Sequence, residues 1–399
     1  MNMNRLSIKL LIYLFLFSFL TIAIISCEDE DKVINQTDKS LKSIPKSSVD
    51  VGDVFEKISG NLIFEEILSN ENEFGHIWNI QLDKERDILY AFTSTNLLKI
   101  DLKKKTFGSI LDSTNIAYND YVYKALKSNK LPINAIPELS VNANGELFCV
   151  LRNNSAGDIL NIDNWLKVNP SKNEASIVGR TTPFTHFRSF QASNKKFYAS
   201  EFTTSDGYHV SVYDEKLQNP KIVIPKQSGF SASTQYITSI QELPKHKIRF
   251  LFASGFYADV VDDEQTATAT AISASKEVQR NSDDLRLYSL GMDFSEHDYY
   301  VLKASTAGSN PSKNPIEYII GRAKSDITNT FENAGEFRIK KSLEYDSKTY
   351  YWGAIASAYT VFTVANNGDM YLLIHHPYAA TVERAPELNV GGIYKISIK

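Results

Sequence analysis

The sequence predicts an all-β fold, a six-bladed β-propeller closed by an N-terminal strand in the last blade. Three observations predict it. A strand–turn–strand unit recurs six times at intervals of roughly 50 to 70 residues, and a period of that length means a propeller or a solenoid. Five of the units are followed by two further β-like runs, giving the four strands of a propeller blade. The sixth unit is one strand short, while a lone β-like run, Asn61–Leu68, precedes the first unit with no partner beside it.

The first 26 residues stand outside the fold. Arg5 and Lys9 introduce an apolar run, Leu10–Ile25, broken only by Ser18 and Thr21; Ser26-Cys27 and the acidic Glu28-Asp29-Glu30-Asp31 follow. This resembles a bacterial lipoprotein signal, although Ile24 stands where that family more often has Leu. The acidic run after the cysteine resembles the surface-export signal of lipoproteins from the Bacteroidota. The resemblance implies a signal peptide over 1–26, lipidation at Cys27, and an outer-membrane protein that is surface-exposed, with a periplasm-facing one as the alternative. An uncleaved N-terminal anchor is the other reading. Signal residues are left out of the fold argument. Each buried methylene of a lipid chain contributes about 0.8 kcal/mol, so two or more chains hold a protein stably. No spanning helix is then required. Residues 27–53 are rich in Lys, Ser and Asp, with few apolar residues. Such a segment cannot bury enough apolar surface to offset its ordering entropy, and it reads as a flexible tether of roughly 25–30 Å. The propeller is expected over 54–399.

The repeating unit is clearest in Val364–His376, where Asn366-Asn367-Gly368-Asp369 supply turn-forming residues between two apolar runs. Its copies begin at Ile80, Ser140, Phe190, Ile240 and Leu290. The additional runs are Asn96–Leu102 and Thr106–Leu111 in the first unit, Trp165–Asn169 and Glu174–Gly179 in the second, and His209–Tyr213 and Lys221–Ile224 in the third. The fourth adds Phe256–Val261 and Thr266–Ser273, and the fifth Ile316–Arg322 and Glu336–Lys340. The sixth has only Tyr359–Ala365, Met370–His375 and Gly392–Ile398. Pairing Asn61–Leu68 with Gly392–Ile398 completes it, closes the ring and removes an exposed sheet edge. A helix-like stretch, Ile116–Lys130, separates the first and second units. This repeat logic resembles that of the TolB-like six-bladed propellers over nearly the whole mature body, without a Trp-Asp, kelch or Tyr-Trp-Thr-Asp signature. Fold likeness of this kind carries little about function.

Composition agrees with strands and excludes some partners. Aromatic residues make up 12%, with 21 Tyr and 22 Phe, as pleated, half-buried surfaces favour. The formal charge is −4, and loss of Arg5 and Lys9 with the signal brings it to −6. A mildly acidic body argues against nucleic acid, whose binding rests on phosphate neutralisation. With Cys27 reserved for lipid, Cys149 stands alone in the apolar run Leu147–Leu151. That excludes a disulfide framework and reads as a buried small apolar side chain.

The connections sort by end. Turns between first and second strands, and most between third and fourth, are short and share one end of the ring. Second-to-third connections and blade crossings share the other and are long: Asp112–Ile136, Arg152–Asn164, Ser305–Pro315, Ser342–Ala356 and His376–Gly391. Lys324–Gly335 reads as a long connection at the short-turn end. Long loops on a rigid scaffold carry binding residues, so the working surface is expected at the long-loop mouth of the channel. Candidate binding residues there are His76, Trp78, His186, Arg188, Tyr236, Trp352, His375 and His376. Aromatic and Arg side chains suit stacking on sugars or other planar ligands; the alternative for Trp78 and Trp352 is filling gaps between blades.

No catalytic residue, cofactor or metal site is predicted. His375 and His376 point to opposite faces of an extended strand, and the seven histidines show no ligand spacing. Gly229-Phe230-Ser231-Ala232-Ser233 lacks the final Gly of a nucleophile elbow. Asp262-Asp263-Glu264 lacks the alternating ligands of a calcium loop. Glu138 and Asp284 could both approach the channel as a carboxylate pair, with nothing in the sequence to place them together. The expectation is a lipid-anchored envelope propeller that captures a ligand, a glycan or an iron chelate, beside an outer-membrane transporter. Two alternatives stay open: an envelope scaffold for a protein partner, and a hydrolase or lyase with its site at the channel mouth.

Overall fold

The computed structural model describes residues 42–43, 51–69, 77–93, 96–112, 138–151, 163–181, 188–203, 205–226, 237–252, 256–261, 270–271, 273–274, 287–305, 315–324, 330–345, 347–353, 362–375 and 391–399. The signal, Cys27, most of the tether and the helix-like stretch Ile116–Lys130 lie outside the described residues.

Six antiparallel blades follow one another, each written here from its inner to its outer strand. The first is Ile77–Asp83, Ile88–Thr93, Leu97–Asp101 and Thr106–Leu111, with the two-residue strand Lys42–Ser43 hydrogen-bonded outside Thr106–Leu111. The second is Glu138–Val141, Leu147–Leu151, Asp163–Asn169 and Glu174–Thr181. The third is Arg188–Gln191, Phe197–Thr203, Gly207–Tyr213 and Lys221–Ile224, and the fourth is Ile237–Leu243, Lys247–Phe252, Phe256–Val261 and Thr270–Ala271. The fifth is Leu287–Phe294, Asp298–Ser305, Glu317–Lys324 and Thr330–Ile339. The sixth takes Phe362–Val364, Met370–His375 and Gly391–Ile398 from one end of the chain and Leu62–Ser69 from the other. Leu62 pairs with Ile398 and Ser69 with Gly392 in an antiparallel ladder, as the unpartnered run near the N-terminus predicted. Each innermost strand neighbours the next, and Phe362–Val364 neighbours Ile77–Asp83, so the cycle closes. Residues 43–399 form one compact unit, a six-bladed β-propeller.

The strands are buried on both faces because each blade lies between two others. Met370–Ile374 shows this: all five residues are buried. One core spans blades five, six and one. Others fill the gaps between blades one and two, three and four, four and five, and two and three. Turn chemistry agrees with the sequence. At Asn366–Gly368 the Asn367 carboxamide oxygen accepts the Asp369 amide at 2.9 Å. Gly368 takes φ +87°, where a Cβ would also meet the Tyr300 hydroxyl.

Some elements differ from expectation. Phe55–Ser59 is an extra strand outside Thr330–Ile339 of blade five. It is held by Phe55, which stacks on Phe64 at 4.4 Å and meets Phe337 and Tyr394 edge-on. Half of the expected Lys324–Gly335 loop is strand from Thr330 onward, and Gly335 leaves the room into which Leu62 packs. The expected loop Ser342–Ala356 contains a hairpin, Ser342–Tyr345 with Lys348–Tyr351. The outer run of blade four is divided: Thr270–Ala271 stays with its blade, while Ser273–Ala274 pairs in parallel with Thr330–Phe331 of blade five.

Candidate functional site

Inner strands run from the long-loop end to the short-turn end, and their last residues converge on the axis. There Lys84, in the first turn of blade one, reaches across to Asp293 on the inner strand of blade five, Nζ to Oδ1 2.7 Å. Both side chains are almost fully buried, 6% and 2% exposed. Asp293 Oδ1 also accepts Ser239 Oγ of blade four (3.2 Å) and the Phe294 amide (2.9 Å). Its Oδ2 accepts Thr363 Oγ1 (2.9 Å) and the Val364 amide (2.8 Å) of blade six. Lys84 Nζ donates as well to the Phe294 carbonyl and sits 4.2 Å above the Phe294 ring. Burial pushes the Lys84 ammonium below the usual lysine range, and Asp293 pulls it back in part. One carboxylate therefore joins four blades at the mouth of the channel.

The neighbouring turns are tied in the same way. Glu242, at the end of the inner strand of blade four, accepts the Ala143 amide of blade two (3.1 Å) and the Ser193 amide of blade three (2.9 Å), and Ser193 Oγ donates to its other oxygen. Arg86 pairs with Asp83 and donates to the Ala143 carbonyl. Asn366 of blade six donates to the Lys84 carbonyl at 3.2 Å. Arg249 forks onto Asp259, both contacts 2.7 Å, and reaches the Tyr299 hydroxyl of blade five at 2.8 Å. Among the described residues a cavity of about 40 Å³ lies between blades one, two and four, with Gln81, Asp83, Asn142, Gln241 and Glu242 among its lining. The Gln241 carboxamide oxygen is buried there without a hydrogen-bond partner. A polar space of this size suits a few water molecules.

At the other end the strand topology places Trp78, Arg188, Trp352 and His375. Trp78 follows the first residue of its strand and packs, half-buried, against the cores on both sides of blade one. Trp352 is buried in the large core, with Lys341 Nζ 4.2 Å over its ring. Arg188 opens its strand opposite Ser200, and His375 closes its strand opposite Gly391; their side chains, and all of His76, His186, Tyr236 and His376, lie outside the described residues. Among the described residues no group of three or more His, Cys, Asp or Glu is placed to hold a metal, and no helix is long and apolar enough to cross a membrane.

Blade three carries a cluster that the sequence reading missed. Glu201 and His209 are opposite each other in the hairpin, both buried, with His209 Nε2 3.4 Å from Glu201 Oε2. His209 Nδ1 lies 2.9 Å from the Gly207 carbonyl, and Tyr213 donates its hydroxyl to Glu201 Oε1. Both ring nitrogens face acceptors, so the geometry selects the imidazolium. Burial disfavours that charge, but the bond to Glu201, the Gly207 carbonyl and the charges of Glu201 and Asp206 outweigh it and raise the His209 pKa. Thr203 opposite Gly207 sets a cross-strand register that pairs Glu201 with His209, and that was the available signal. Cys149 is buried and its thiol is pushed up to about 12 by desolvation.

No protein-family model matches the chain, and no curated protein does. Solved structures align with it at low similarity. The major allergen Mala s 1 of Malassezia sympodialis is 11% identical, with a TM-score of 0.42 over 85% of this chain and 97% of that one. A Trichoderma reesei member of carbohydrate-active enzymes family AA12 is 11% identical, with a TM-score of 0.43 over 90% and 100%. An inactive virginiamycin B lyase from Staphylococcus aureus is 10% identical, with a TM-score of 0.39 over 85% and 100%. At these values the likenesses carry no argument about chemistry, and the fold stands on its own strand pairing.

Proposed function

We propose that the protein is a lipid-anchored envelope propeller that captures a ligand, a glycan or an iron chelate, at the long-loop mouth of its channel, beside an outer-membrane transporter. The observation that carries this reading is the state of the opposite mouth. Among the described residues its buried Lys84 and Asp293 are paired with each other, and the cavity beside them, about 40 Å³, is small beside ligand pockets of roughly 300–1,000 Å³. A ligand then approaches the axis from the end where inner strands begin. The anchor rests on Cys27 and its flanking sequence.

Calorimetry of the purified mature protein against a panel of glycans and ferric chelates tests this. The expected result is binding of one class, weakened at least tenfold by His76→Ala or Tyr236→Ala and unchanged by Glu85→Gln at the short-turn mouth. Equal losses from all three variants, or silence across the panel together with recovery of an envelope protein in a pull-down, would replace ligand capture with the scaffold reading.

A further inference from the structure

Cations drawn into the body of this propeller meet carboxylates: Lys84 meets Asp293, Arg249 meets Asp259, and His209 faces Glu201. Lys303 departs from that pattern. It lies near the end of Asp298–Ser305, the second strand of blade five, which runs from the short-turn end to the long-loop end. Val301, Leu302 and Ala304 around it are buried, and Lys303 itself is partly buried. Side chains alternate along a strand, so Lys303 shares a face with Val301, and Ile319 of the third strand stands directly opposite it. Val301 and Ile319 pack in one core with Leu251 of blade four. Lys303 therefore stands in the cleft between blades four and five, at its long-loop end, against an apolar wall. Burial holds its ammonium below the usual lysine range. Among the described residues no carboxylate pairs with it to draw it back, as Asp293 does for Lys84.

We propose that Lys303 holds a carboxylate of the captured ligand at the long-loop end of the cleft between blades four and five. This rests on the ligand-capture reading and narrows it to acidic ligands. A glycan carrying uronic acids and a ferric chelate held by carboxylates are two sources of that one group. A partly buried charge without a partner is costly, and folding has left that cost standing at Lys303. An ammonium already stripped of some of its water has less to lose when an anion arrives, and the attraction is stronger there than in bulk water. A lysine stem also lies readily along apolar surface while its ammonium reaches outward.

The test melts the purified mature protein, Lys303→Met and Lys303→Arg at pH 7 and constant ionic strength, with chloride or with malonate as the carboxylate probe. Malonate is expected to raise the melting temperature of the native and Arg proteins by roughly 2 °C or more beyond its effect on Lys303→Met. In chloride, Lys303→Met should melt no lower than the native protein, because it keeps the length of the stem and breaks no ion pair. A lower melting temperature for that variant reveals a partner within the chain and overturns the proposal, as does an equal malonate response in all three proteins. Calorimetry with oligogalacturonate and with ferric citrate separates the two sources. The one that binds should do so roughly tenfold more weakly in Lys303→Met, while any binding of a neutral galacto-oligosaccharide stays unchanged. Neutral-glycan binding beside an equal malonate response overturns the carboxylate site and leaves ligand capture standing. A malonate difference beside silence from all three ligands supports the carboxylate site and removes ligand capture.

Discussion

Asp293 receives donors from four blades, and Lys84 is its cationic partner among the described residues. Removing one member of a buried ion pair leaves the other charge uncompensated and typically costs about 3–5 kcal/mol. Lys84→Met should lower stability by that order in urea unfolding. Adding Asp293→Leu should recover part of it, giving a non-additive double-mutant cycle. His209 gives a pH dependence of definite sign. Its folded pKa is raised, so the stability it supplies is fully present below the unfolded value of about 6.5 and lost as pH rises through the folded pKa. Thermal melts from pH 5.5 to 8.5 should show the native protein losing stability relative to His209→Gln over that rise; a constant difference would count against a charged His209. Neither site was legible as chemistry. Lys84 lies in the turn Lys84-Glu85-Arg86-Asp87, which reads as solvated, and its partner is 209 residues away. His209, in contrast, was within reach of simple hairpin counting.

The N-terminal strand pair is where sequence reading succeeded and failed side by side. Leu62–Ser69 was found because its apolar run is long enough to need a partner. Phe55–Ser59 escaped because it carries one buried anchor, with Glu56 and Lys57 exposed beside it, and its burial depends on rings that the fold assembles. Phe55→Ala should cost about 3–5 kcal/mol, the range for truncating a buried aromatic, measured by urea midpoint. Gly60 offers a second check on the same element. A Cβ there would meet the Ala334 carbonyl oxygen at 2.7 Å, on top of its positive φ. Gly60→Ala should therefore destabilise by more than the roughly 1 kcal/mol that glycine's conformational freedom alone accounts for.

Across the whole ring, the six turns and their spacing were legible because turn residues and apolar runs are local signals. The pairing of charges at the axis was not, since it arises only once six distant turns converge. Ring closure makes the last blade depend on the first strand. A chain beginning at residue 77 lacks both Phe55–Ser59 and Leu62–Ser69, which leaves the ladder of Gly391–Ile398 without its outer partner. Such a chain should melt at a lower temperature and scatter light increasingly with concentration, as open edges recruit one another. Adding the peptide 51–69 in trans should restore part of the melting temperature. One further contact has a topological consequence. The Lys399 amide donates to the Asn61 carbonyl at 2.9 Å, so the two strands that meet at the seam of blade six already abut. A short linker across that seam would turn the ring into a covalent circle. It could then be reopened at an exposed turn such as Ser171-Lys172, giving a circularly permuted chain in which the order of the blades along the polypeptide changes and their order around the axis does not.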